Sequence, residues 1–229
     1  MASQARKTFD ENHKDIENLL DYYSVSEQLH EDYPDDGLMD GADVVLRSSI
    51  VLLVTYWEAY LEDIVTEAIE HIVEHVEDPT KIPKELKKTV IRELSGDKNE
   101  LAMWRLTGDG WRDCIKSRLP QLKEARNRSF NTPKSAQTQS FIHSALGIVD
   151  ITKTWDFQDR DASTNAKYLD TLVELRGQIA HRGKIKKKIT DESVKALSLF
   201  VKELVSKTGG SINAEVKKIA GSPLWTKKD

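Results

Sequence analysis

Arg176 and His181 stand together in Leu175-Arg176-Gly177-Gln178-Ile179-Ala180-His181-Arg182-Gly183-Lys184, near the end of a predicted helix. An imidazole moves a proton near neutral pH, and a guanidinium offers a rigid fork of donors to phosphate oxygens. Together they suit phosphoryl chemistry that needs no metal, and they point toward RNA. From Arg176 to Lys188 the chain carries Arg176, Arg182, Lys184, Lys186, Lys187 and Lys188 and no Asp or Glu. Such a run either dresses a solvated helix end or holds phosphates beside the histidine.

On a helical wheel Tyr168, Leu172, Leu175 and Ile179 share one arc, widened by Leu169 and Val173. That arc is the expected core face. Arg176 lies at its edge, so its stem can be buried while its head reaches for an anion. His181 falls on the opposite side with Gly177, Glu174 and Asp170. A step of five residues turns Arg176 and His181 about 140° apart, so one helix does not aim both at the same atom. Gly177 and Ala180 are small enough to admit a second helix, and two copies related by a two-fold axis would pool both pairs in one cleft. Alternatively, the two small residues ease packing within the monomer.

The elements that must carry this helix are helical as well. Apolar residues recur at helical spacing almost throughout, and no segment alternates long enough for a strand, which makes the chain all-α. Helices are expected at about 3–30 and, the longest, at about 40–76. Ile50, Val54, Trp57, Leu61, Val65, Ala68, Ile72 and Val76 form the spine of the latter. Shorter helices follow at about 83–94, 99–106 and 111–130, with Pro120 dividing the last. A Ser- and Gln-rich segment through Ser140 precedes a short helix over 141–146, and a loop spans 155–164. Ser163 or Thr164 would cap the motif helix, about 165–182, and Gly183 would end it. Thr190 opens a final helix that Gly209-Gly210 stops, giving a helical domain over 1–207 and a short basic tail over 208–229.

A net charge of −4 argues against a protein that coats nucleic acid indiscriminately. One cysteine, Cys114, permits neither an internal disulfide nor a cysteine zinc site, and a reducing cytoplasm fits best. The start is polar, and the longest unbroken apolar run, Ile50 to Val54, is too short to span a bilayer, so no membrane partner is expected. No phosphate loop or nucleophile elbow is present.

Two further sites deserve weighing. Glu58 borders the apolar stripe of the long helix, where a carboxylate needs a cation. Arg176 would make it a support for the motif arginine from behind; Arg47, on the same side, would make the pair purely structural. His71-Ile72-Val73-Glu74-His75 reads as H-x-x-E-H, a zinc-peptidase spacing, but both histidines border the packing stripe and no clear third ligand follows, so no metal and no cofactor are expected.

The Arg176-x4-His181 pair at the end of a late helix, followed by one more amphipathic helix, resembles the HEPN superfamily. Phe9 to Leu20, Tyr56-Trp57-Glu58-Ala59-Tyr60-Leu61, and Phe130-Asn131-Thr132-Pro133 leading to Leu146-Gly147-Ile148 are similar to its RiboL-PSP-HEPN branch. The resemblance spans roughly residues 5–205. It implies a helical bundle with one long central helix, dimerising so that the two motifs face each other. It also implies a metal-independent endoribonuclease of toxin–antitoxin, phage-defence or RNA-processing systems, with an antitoxin or other partner protein. In that scheme His181 is the general acid or base for a ribose 2′-hydroxyl and Arg176 stabilises charge on the phosphate. Many active members carry Asn, Asp or His after the arginine, where this chain has Gly177. A tyrosine two residues after the histidine, the target of silencing by nucleotide addition, is replaced by Gly183. The alternative is a noncatalytic HEPN-like module that binds RNA, nucleotide or a partner protein.

Overall fold

Two long helices set the frame. Helix α1 (Gln4–Asp32) and helix α2 (Leu38–His75) lie antiparallel. The Glu67 carboxylate accepts the Gln4 and Ala5 N–H groups at one end (3.1 and 3.0 Å), and Tyr56 Oη donates to Asp15 Oδ2 (2.7 Å) nearer the other. The computed structural model describes residues 2–32, 38–117, 119–120, 124, 132–183 and 188–226. Among them are seven helices and no strand, so the chain is an all-α bundle. The predicted spine of α2 is the core: Ile50, Val54, Trp57, Leu61, Val65, Ala68, Ile72 and Val76 are all fully buried. Residues 41–75 are long and apolar enough to cross a bilayer, but this structure uses the spine for packing against neighbouring helices.

Helices α3 (Lys84–Ser95) and α4 (Gly110–Lys116) flank a 3₁₀ turn at Ala102–Leu106, where the periodicity predicts a full α-helix. Of the predicted helix over 111–130, the structure describes α4 and further helical residues at 119, 120 and 124, and most of the remainder lies outside the described residues. Helix α5 (Ser135–Leu146) starts six residues before the short helix expected over 141–146 and takes in the Ser- and Gln-rich stretch. Its first turn is satisfied from a distance: Ser135 donates to Asp170 through both its N–H (2.6 Å) and its Oγ (3.0 Å). That carboxylate supplies the cap that the local sequence lacks, and Phe141, Ile142 and Leu146 are then buried.

Helix α6 (Ala162–Arg182) is capped by Asp161 rather than by Ser163 or Thr164, its carboxylate accepting the Thr164 N–H at 2.7 Å. The preceding loop is well built. Buried Asn165 donates to the carbonyls of Trp155 and Phe157 (2.9 and 3.1 Å), and Trp155 donates to Thr208 Oγ1 (2.9 Å). Helix α7 (Asp191–Ala220) opens with a capping box at Thr190 and Ser193. It runs through Gly209-Gly210, which corrects the predicted stop. Ile212 and Val216 extend its buried stripe, and their burial outweighs the helix penalty of about 1 kcal/mol per glycine. Gly209 is also required sterically: a Cβ there would lie 2.3 Å from Tyr60 Oη, the hydroxyl that donates to Val205 O at 3.2 Å.

Candidate functional site

Helix α6 turns the predicted arc inward. Leu169, Leu172, Val173 and Ile179 are buried, Tyr168 and Leu175 partly so. Arg176, at the edge of the arc, reaches Glu58 of α2, with Nη2 3.4 Å from Oε2. The side chains are 27% and 20% exposed, so the pair is sheltered without being sealed from solvent. Burial raises the Glu58 carboxyl above its ordinary range, and the guanidinium draws it back down. Glu58 therefore holds the motif arginine, and Arg47 does not compete for it. Arg47 Nε lies 3.2 Å from Asp43 Oδ2, and Nη1 donates to the Gly183 carbonyl at 2.6 Å.

His181 points the other way. It is exposed and lines an open groove with Glu174, Gly177, Gln178 and Arg182. Arg176 does not line that groove, so one chain does not bring the two motif residues to a common face. Gly177 lies at the groove and has nothing within 4 Å of where a Cβ would be, and Ala180 is exposed. Among the described residues, neither small residue is needed for packing within the monomer. Arg182 and Lys188 are exposed, whereas Lys184, Lys186 and Lys187 lie outside the described residues. Gly183 ends α6 as expected, with φ 66° and its N–H donating to Ile179 O at 2.9 Å.

The groove has a wall that the sequence does not announce. Lys134, just before α5, donates to Glu174 Oε1 at 2.7 Å, a contact that raises the lysine's pKa. With Asp170 receiving Ser135, two carboxylates one turn apart fasten α5 to α6 beside the groove. The one sequence hint is that Asp170 and Glu174 share the wheel face of His181. The contacts themselves cross 35 and 40 positions.

In the H-x-x-E-H segment Ile72 and Val73 are buried, while the two histidines make local contacts. The His71 and His75 rings stack at 4.1 Å and 22°, and His71 Nε2 meets Ser222 Oγ at 3.1 Å. Among the described residues no three His, Cys, Asp or Glu side chains cluster as a metal site. The pieces that can do chemistry are thus an exposed imidazole with an adjacent cation and, one turn away, an arginine aimed by a half-buried carboxylate.

Residues 8–214 match the family model RiboL-PSP-HEPN. No curated protein and no solved structure matches the chain.

Proposed function

The chain belongs to the RiboL-PSP-HEPN family, and on that premise we propose that it is a metal-independent endoribonuclease acting as a homodimer with a composite Arg/His site. The observation that carries this reading is the divergence along α6: Arg176 is braced by Glu58, while His181 stands in an open groove beside Arg182. A second α6 laid over the open Gly177–Ala180 face would bring the partner's copies of these groups to the same cleft. His181 would take the proton of a ribose 2′-hydroxyl or return one to the leaving 5′-oxygen. The 2′-oxygen attacks the adjacent phosphorus, the bond to the 5′-oxygen breaks, and a 2′,3′-cyclic phosphate forms. Arg176 would offset the charge that builds on the phosphate oxygens. Arg182 and Lys188, with Lys184, Lys186 and Lys187, would hold flanking phosphates. A cytoplasmic toxin, phage-defence or RNA-processing role, under the control of an antitoxin or other partner protein, accords with this chemistry.

Gly177 favours a second reading, a noncatalytic module that binds RNA, nucleotide or a partner protein through the same groove. The position has open space for a polar side chain, yet none is present. Matched RNA and DNA oligonucleotides in EDTA separate the two. A nuclease of this mechanism leaves cyclic or 3′-phosphate ends on RNA and spares DNA, which lacks the 2′-hydroxyl. Binding without new ends would support the module.

A further inference from the structure

Helix α2 grips α6 at two points. Glu58 holds Arg176, and eleven residues earlier, about three turns along the same side of α2, Arg47 holds Gly183. His181 lies between the two anchors in the chain. We propose that Arg47 is a positioning residue: it fixes the last turn of α6 and, through it, the direction of the His181 imidazole. The inference deepens the nuclease reading and rests on His181 being its proton-transfer group.

The last carbonyls of a helix have no intrahelical donor, and its last turn frays unless something outside supplies one. Gly183 caps α6 through its own N–H, which leaves its carbonyl open. Arg47 Nη1 donates to that oxygen at 2.6 Å, a short bond of the charge-assisted kind, joining residues 136 positions apart. The guanidinium is itself aimed. Its Nε is 3.2 Å from both Asp43 Oδ2 and the Asp43 carbonyl, and the Arg47 side chain is 12% exposed. The rest of the turn has little else to hold it. Ala180, His181, Arg182 and Gly183 are all exposed, and Ile179 is the last inward side chain of α6. No described residue hydrogen-bonds the His181 ring, so the Cα–Cβ direction set by the backbone that Arg47 pins decides which way the imidazole reaches.

The full chain, labelled with ¹³C and ¹⁵N, provides two readouts that need no activity. The first is the His181 imidazole resonance, identified by its loss in His181→Gln. The second is hydrogen exchange of the 179–183 amides. In Arg47→Ala the imidazole signal should change in linewidth or position as the last turn of α6 loosens. The 179–183 amides should exchange about tenfold faster while those around Leu172 stay protected, the signature of local opening. Arg47→Lys should recover part of both effects. Where wild type cleaves an RNA oligonucleotide, Arg47→Ala should lower kcat about 10- to 100-fold with KM nearly unchanged, because a misdirected group loses rate rather than affinity. An unchanged imidazole signal, or exchange faster everywhere in proportion to lost stability, would overturn the proposal. So would a loss entirely in KM, which would make Arg47 a phosphate contact. If wild type fails to cleave, the nuclease reading falls, and the imidazole and exchange data still decide whether Arg47 orients His181.

Discussion

Arg176 Nη2 stands 3.4 Å from Glu58 Oε2 across 118 positions of sequence, tying the motif helix α6 to the middle of the long helix α2. Removing the cation strands a half-buried carboxylate. Arg176→Ala should therefore destabilise the fold by about 1–2 kcal/mol, below the range for a fully buried pair because both groups keep some solvent. Glu58→Gln should be milder. Burial raises the Glu58 pKa above its ordinary 4.5, so the folded chain binds that proton more tightly than the unfolded one. The resulting stabilisation is complete below the ordinary value and is lost as pH rises through the raised one. At neutral pH the charge is held against a desolvation cost that the amide does not carry. Urea melts of both variants at pH 7 check the order, and equal losses would contradict it.

Gly177 offers a test of the proposed dimer. With open space at its Cβ position, Gly177→Ala should leave the monomer intact and stabilise its helix by up to about 1 kcal/mol. Gly177→Leu should weaken self-association in sedimentation equilibrium without lowering the melting temperature of the monomer. A wild type that stays monomeric at micromolar concentration would remove the composite site.

The two glycines of α7 should behave oppositely. Gly209→Ala forces its Cβ against Tyr60 Oη and should cost about 1–3 kcal/mol by overpacking. Gly210 has open space, and Gly210→Ala should be neutral or stabilising by up to about 1 kcal/mol. Thermal melts of the two variants check this.

His13 predicts the acid limb of stability. It sits on α1 against α7 and is 1% exposed, with Nε2 2.9 Å from Ser198 Oγ and Nδ1 3.8 Å from Glu17 Oε1, too far for a hydrogen bond. Burial, then Lys202, lowers its pKa below the ordinary 6.5, against the opposing pull of Glu17 and Asp10. The unfolded chain therefore binds this proton more readily. The contribution is present above about 6.5 and is lost as pH falls from there through the lowered folded value. The melting temperature of wild type should drop over that window, and His13→Gln should flatten the drop.

What the sequence made legible was what local rules govern. The spine from Ile50 to Val76 could be read because a helix buried along one face repeats its apolar residues every three to four positions. Gly183 could be read because a helix end favours glycine. The inward arc of α6 and the outward turn of His181 followed from the same wheel. The cap of α6 at Asp161 was a local miss; the other main failures share one cause, contacts made across the fold. Asp170 caps α5 from α6 and so turns a Ser- and Gln-rich stretch helical. Buried Ile212 and Val216 carry α7 through two glycines. The choice of Arg176 over Arg47 for Glu58 could not be made from one helix, because it depends on where α6 crosses α2. Nor could Arg47 be paired with the Gly183 carbonyl, since a backbone acceptor leaves no mark in the sequence.

The proposed metal-independent ribonuclease depends on His181 as its proton-transfer group. The most direct test is single-turnover cleavage of single-stranded RNA in EDTA by wild type and His181→Ala, with RNA affinity measured alongside. Wild type should leave 2′,3′-cyclic or 3′-phosphate ends. His181→Ala should lose cleavage by at least about 100-fold, as expected for removing a general acid or base, while binding RNA nearly as well through Arg182, Lys188 and the neighbouring lysines. Cleavage that survives in His181→Ala, or that appears only with Mg²⁺ and cuts DNA equally, would contradict the account.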